Sequence, residues 1–124
     1  MIEKNIYVPI YDFDIHVINI DDEGDSFRLR SIMNDFGCDD ESIDDECTKV
    51  LKGRIDGGCL FRKLDERAFL LILSKFSSDA TRINIIGHEK RHIEDRILEY
   101  CSVEDIEAAA YLAGYLSEKL YINE

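Results

Sequence analysis

The stretch that decides the fold is Cys59-Leu60-Phe61-Arg62-Lys63, then Leu64-Asp65-Glu66, then Arg67-Ala68-Phe69-Leu70-Leu71-Ile72-Leu73-Ser74. Two runs rich in strand formers flank three polar or turn-compatible residues, a pattern that predicts a β-hairpin. The second arm has no polar alternation. A strand apolar on both faces is central in its sheet or covered by helices. Gly57-Gly58 opens the hairpin, and Ser77-Ser78-Asp79 closes it as the cap of a long helix over roughly 80–100.

Working back from the hairpin, Tyr11, Phe13, Ile15 and Val17 alternate with Asp12, Asp14 and His16, as in a half-buried strand. The alternation then changes phase, because Ile18 and Ile20 fall on the face of His16. A bulge near residue 18, or burial of both faces at that end, accounts for the change. Residues 5–10 contain the chain's one proline, Pro9, and predict an edge strand or extended arm. Phe27, Leu29, Ile32, Met33 and Phe36 recur near helical spacing, with Gly37 as the stop. Asp39 to Glu46 holds six acidic residues and predicts a mobile segment, with at most a short helix over 44–52. Beyond the long helix, Ser102 predicts the cap of a last helix over roughly 103–120, with Asp105 three residues on.

The expectation is one α+β domain spanning residues 1–124. A small antiparallel sheet, made of the N-terminal strand and the hairpin, packs against a C-terminal antiparallel helix pair and one further helix. No apolar run approaches the ~18–20 residues needed to span a bilayer, and the first residues lack the basic and apolar regions of a secretory leader. A cytoplasmic location follows as the expectation. There are 27 acidic against 15 basic residues, a net charge of −12. Such a surface repels phosphate backbones and anionic membranes, so neither nucleic acid nor a membrane is an expected partner. The four cysteines, Cys38, Cys47, Cys59 and Cys101, have no Cys-x-x-Cys spacing and predict free thiols. Nothing in the sequence signals an oligomeric state.

The residues that bear on chemistry are His88-Glu89-Lys90-Arg91-His92, an H-E-x-x-H. Helix residues four apart share a face, so the two imidazoles can converge on one metal ion, with Glu89 beside them as general base toward a metal-held water. Two of the chain's three histidines are in this motif. The bland alternative is a solvated helix face, since Glu89, Lys90, Arg91, Glu94, Asp95 and Arg96 are all polar. Glu107, one turn into the last helix, is the first choice of third ligand. Ala108, Ala109 and Ala110 let that helix pack closely, and a tilted crossing would bring Glu107 to the level of His92. Asp95 is the competing ligand, or else a hydrogen-bond partner that orients a histidine. Lys90 and Arg91 predict a wet back to the motif helix, across which the acidic segment 39–46 can lie. His16 reads as surface or satisfied rim. Tyr111 and Tyr115 are placed facing the motif helix or the core, and Gly114 at a close helix contact.

The stretches Gly87 to Asp95 and Glu107 to Tyr115 resemble the gluzincin arrangement of the zincin metallopeptidases. More narrowly, they are similar to small proteins of phages and mobile elements of gut bacteria, in which His-Glu-x-x-His-x-x-Asp precedes a Glu-Ala-x-Ala-Tyr-Leu-x-Gly-Tyr helix. The resemblance implies Zn2+ held by His88, His92 and Glu107, with Glu89 as general base; a chain of 124 residues leaves only a shallow site, so a peptide or protein is the expected substrate. In zincins the two middle positions of the motif are usually uncharged; here they are Lys90 and Arg91. The resemblance also implies an edge strand beside the motif helix, a place that either hairpin arm, 59–63 or 67–74, can fill. The second function class that the composition allows is a non-catalytic acidic inhibitor that offers its surface to a basic protein.

Overall fold

In the computed structural model, which describes residues 1–122, the apolar arm of the hairpin is the strand on which the rest assembles. The elements run β1 (Ile2–Val8), β2 (Phe13–Asn19), α1 (Ser26–Phe36), α2 (Asp40–Leu51), β3 (Gly58–Lys63), β4 (Ala68–Leu73), α3 (Asp79–Tyr100) and α4 (Ile106–Tyr121). Single 3-10 turns lie at Glu23–Asp25 and Leu64–Glu66. The four strands are ordered β1-β2-β4-β3. β4 is therefore central, and β3 and β1 are the edges.

The α+β class is as expected, but the sheet is mixed rather than antiparallel. β3 pairs antiparallel with β4, while β2 pairs parallel with it, Asp14 opposite Ala68 through Asn19 opposite Leu73. The parallel pair arises because the chain leaves β2, forms α1, α2 and β3, and only then lays β4 alongside.

Both faces of the sheet are covered. On one side Ile15 and Val17 of β2 and Phe69, Leu71 and Leu73 of β4 pack against Ile86, Ile93 and Ile97 of α3 and Leu112, Leu116 and Leu120 of α4. On the other, Ile18, Ile20, Leu70 and Ile72 pack against Leu29, Ile32 and Met33 of α1 and Ile43, Cys47 and Val50 of α2. This resolves the phase change in β2. The β1–β2 register runs unbroken from Ile2 opposite Asn19 to Val8 opposite Phe13, so there is no bulge, and Val17 and Ile18 enter different cores.

The acidic stretch 39–46 is ordered, and the expectation of a mobile segment fails there. It begins α2: the Asp39 carboxylate accepts the Ser42 backbone N–H at 2.7 Å as the cap. Ile43, Cys47 and Val50 then form a stripe at spacings of four and three residues. Two helices thus cover the second face, not one. Glu46 is buried and paired with Arg54 at 3.0 Å and Lys49 at 3.4 Å.

The turn between the last two helices also differs from expectation. Ser102 is not a cap. It takes the left-handed conformation, φ 56°, just past the end of α3, where its N–H and that of Val103 bond the carbonyls of Glu99 and Leu98. The α4 cap is Asp105, whose carboxylate accepts the N–H groups of Glu107 and Ala108. No helix among the described residues is long and apolar enough to cross a membrane.

Candidate functional site

Helix α3 starts at Ser78, whose hydroxyl accepts the Thr81 N–H, and its faces are dealt out by the turn of about 100° per residue. Ile86, Ile93 and Ile97 point into the sheet. Gly87, Lys90 and Glu94 lie on the flank toward α4. A Cβ on Gly87 would stand 3.0 Å from the Tyr121 hydroxyl, and the Lys90 ammonium lies 3.5 Å from the Ala113 carbonyl. On the opposite flank Ile85 and Glu89 lie over the start of β3, where a Cβ on Gly58 would meet Ile85 Cγ2 at 2.8 Å and Glu89 Cγ at 3.6 Å. The absence of a side chain at Gly58 lets α3 settle on the edge strand.

His88 and His92 occupy the remaining, outward face. Their rings meet edge to face with centroids 4.8 Å apart, and the two Nε2 atoms are 3.3 Å apart. Two nitrogens bound at about 2.0–2.1 Å to one tetrahedral zinc stand about 3.3 Å apart. In this structure the 3.3 Å contact is a hydrogen bond between the two rings, and the same spacing is compatible with two ligands of one zinc. The His88 side chain is 69% exposed, so the ring pair lies on an open helix face. Glu89 is 9% exposed as a residue, and its Oε1 lies 3.9 Å from His88 Nε2. Its stem is packed over Gly58, and its carboxylate lies next to His88 in a side chain that is 12% exposed.

The structure does not bring Glu107 to this pair. It sits exposed in the first turn of α4, and α4 packs on the Lys90–Glu94 flank, about half a turn around α3 from the histidines. Asp95 does share the histidine face, as its spacing requires. It is paired with Arg91 at 3.2 Å rather than with a histidine ring. Among the described residues, no three His, Cys, Asp or Glu side chains stand together as a ready metal cage.

Other expectations sort themselves. β3 has the open edge, so of the two hairpin arms only 59–63 lies at a sheet edge; 67–74 is interior. Lys90 is held between the helices by Glu94, and Arg91 by Asp95, while the acidic segment 39–46 is on the far side of the sheet and covers neither. His16 rests against Glu3 at 3.2 Å, and Glu3 also accepts from Arg28. Tyr115 donates to the Tyr7 carbonyl at 2.6 Å, but Tyr111 is 79% exposed and faces neither α3 nor the core. Gly114 has open space around it and mediates no close contact. The four cysteines are free. Cys59 points into the α2 side, where burial and then the Glu46 carboxylate push its thiol up to about 12.

Two features had no separate signal in the sequence. The Lys90–Glu94 pair is buried between helices although both residues read as solvated. Gly58 reads as a turn residue, yet it is the contact point of the motif helix. The comparisons with family models, with curated proteins and with solved structures find no match for this chain.

Proposed function

We propose that the outward face of α3 binds a zinc ion through His88 and His92, and that this small cytoplasmic domain is a metallopeptidase of the zincin type acting on extended peptide. The single observation that carries the reading is the 3.3 Å separation of the two Nε2 atoms on an open helix face. The third protein ligand is Asp95 in preference to Glu107, because Asp95 alone of the two shares that face. When bound, zinc supplies a positive charge that polarises a carbonyl and acidifies water. Glu89 is the proton carrier: its stem is fixed over Gly58 and its carboxylate is adjacent to His88. The free edge of β3 lies beneath this helix, where an extended peptide adds as a further strand through backbone hydrogen bonds.

The test is zinc titration by calorimetry of the protein prepared metal-free. Uptake of about one ion per chain is expected, lost in His88→Ala and in His92→Ala and kept in Glu107→Gln. Glu89→Gln keeps the zinc and loses hydrolysis of an unfolded protein substrate such as casein. A wild-type chain that takes up no zinc overturns the reading in favour of the non-catalytic acidic binding protein.

A further inference from the structure

Away from α3 and β3, the turn between β1 and β2 and the outer face of α4 enclose an apolar groove of about 510 Å³. Pro9, Ile10 and Tyr11 form one wall, and Tyr111, Leu112 and Tyr115 the other. Ile10 is 93% exposed and Tyr111 79%. Ile10 also has φ 72°, a left-handed conformation that a β-branched residue adopts only under strain. The turn is nonetheless tightly held. The Asp12 N–H bonds the Val8 carbonyl at 3.0 Å, Tyr7 donates to the Asp12 carboxylate at 3.1 Å, and Arg67 donates to the Tyr11 carbonyl at 2.6 Å. A strained, exposed isoleucine is thus presented on a fixed frame.

The charge around the groove is acidic. Asp12 follows Tyr11 directly in the β1–β2 turn. Glu104, Asp105 and Glu107 lead into the α4 wall, and all four acids are exposed. The nearby cations are occupied. Arg67 lies against the rings of Phe13 and Tyr100, and Lys119 sits over Tyr115 at 5.5 Å. A second copy of this chain would bring the same acids and its own charge of −12 to the contact, so like charges oppose self-pairing.

We propose that this groove docks a basic segment of a partner protein, which inserts an aliphatic side chain between Ile10 and Tyr111 and places lysine or arginine on the acidic rim. The exposed ring of Tyr111 adds a cation–π contact to those cations. The proposal is independent of the zinc reading, which concerns a different helix face.

The probe is a fluorescein-labelled helical peptide of about 18 residues, with leucine at helical spacing and lysine elsewhere, followed by anisotropy at about 0.15 M salt. Saturable binding is expected, weakened roughly ten-fold in Ile10→Gly and in Tyr111→Ser. It is lost when the lysines of the probe are replaced by glutamate. Glycine accepts φ 72° without strain, so Ile10→Gly keeps the fold, and its melting curve verifies that the loss comes from the surface. His88→Ala binds the probe as the wild type does. The proposal is overturned if the wild type does not bind, if both groove variants bind undiminished, or if the glutamate probe binds equally. Sedimentation showing a wild-type dimer that Ile10→Gly dissociates would make a second copy the occupant and overturn it as well.

Discussion

Lys90 and Glu94 form an ion pair one helical turn apart on the flank of α3 that faces α4, with side chains only 13% and 6% exposed. The first of the two charged middle positions of the His-Glu-x-x-His motif is therefore spent on helix packing, while the second, Arg91, faces solvent. Removing one partner leaves the other charge buried alone. Lys90→Leu should lower the unfolding free energy by about 3–5 kcal/mol, whereas Lys90→Met combined with Glu94→Leu should fall within about 1–2 kcal/mol of wild type. Urea denaturation of the two variants separates these outcomes. Equal losses would mean that the charges are not coupled.

Arg91 offers a way to tell the two third-ligand candidates apart without destroying either. Its guanidinium holds the Asp95 carboxylate in an exposed pair four residues apart. Arg91→Ala frees Asp95. If Asp95 joins the zinc, affinity should rise roughly two- to three-fold, the equivalent of an exposed pair of about 0.5 kcal/mol. Calorimetry that shows no rise, together with a fall on Glu107→Gln, would restore Glu107 as the ligand.

Gly58 sets how closely α3 sits on the edge strand. A methyl group there would stand 2.8 Å from Ile85 Cγ2, so helix or side chain has to move. Gly58→Ala should cost about 1–3 kcal/mol, and Ile85→Ala in the same chain should make the glycine substitution nearly neutral relative to Ile85→Ala alone. A double-mutant cycle by thermal denaturation measures the coupling.

The α3–α4 turn predicts two changes of opposite sign. Ser102 has φ 56°, so Ser102→Gly should stabilise by up to about 1 kcal/mol. Asp105 caps α4, so Asp105→Ala should destabilise by about 1 kcal/mol. Melting temperatures moving the other way would reassign the cap to Ser102.

Cys59 gives a pH signature. Its thiol is pushed up to about 12 by burial and by Glu46, above its value in the unfolded chain. The folded state therefore binds this proton more tightly. Its contribution to stability is complete below about pH 8.5, the unfolded value, and is lost as pH rises toward 12. Urea midpoints should be insensitive to Cys59→Ala in their pH trend between about 6 and 8. Above about 9 the wild type should decline more steeply than the variant. Thiol-reactive dye should label Cys59 slowly at neutral pH, since the thiolate is the reactive form.

The parts of this fold that could be read from the sequence are those set by local pattern. The hairpin around Leu64-Asp65-Glu66, the stop at Gly37 and the two C-terminal helices all rest on signals within a few residues. The parallel pairing of β2 with β4 was not legible, because Asp14 and Ala68 meet only after two helices and a strand intervene. α2 was hidden by composition: six acids in eight positions masked the stripe of Ile43, Cys47 and Val50. At the site, helical spacing correctly put His88 and His92 on one face. The placement of Glu107 failed because spacing within a helix says nothing about which flank the next helix takes. Lys90 and Gly87, facing α4, settle that flank, and neither reads as a contact residue in the sequence.

The central position of β4 has a consequence for the chain as it leaves the ribosome. Synthesis proceeds from the N-terminus, so β1, β2, α1, α2 and β3 all emerge before the strand that joins them exists. Until residues 68–73 are available, Ile18 and Ile20 have no Leu70 or Ile72 beside them, and α1 and α2 lack half of their floor. A nascent chain paused before this point exposes apolar surface from both sides of the future sheet, the condition in which chains aggregate or engage chaperones. Assembly is gated by the emergence of six residues near the middle of the chain, and slow codons placed just before them would prolong the vulnerable interval.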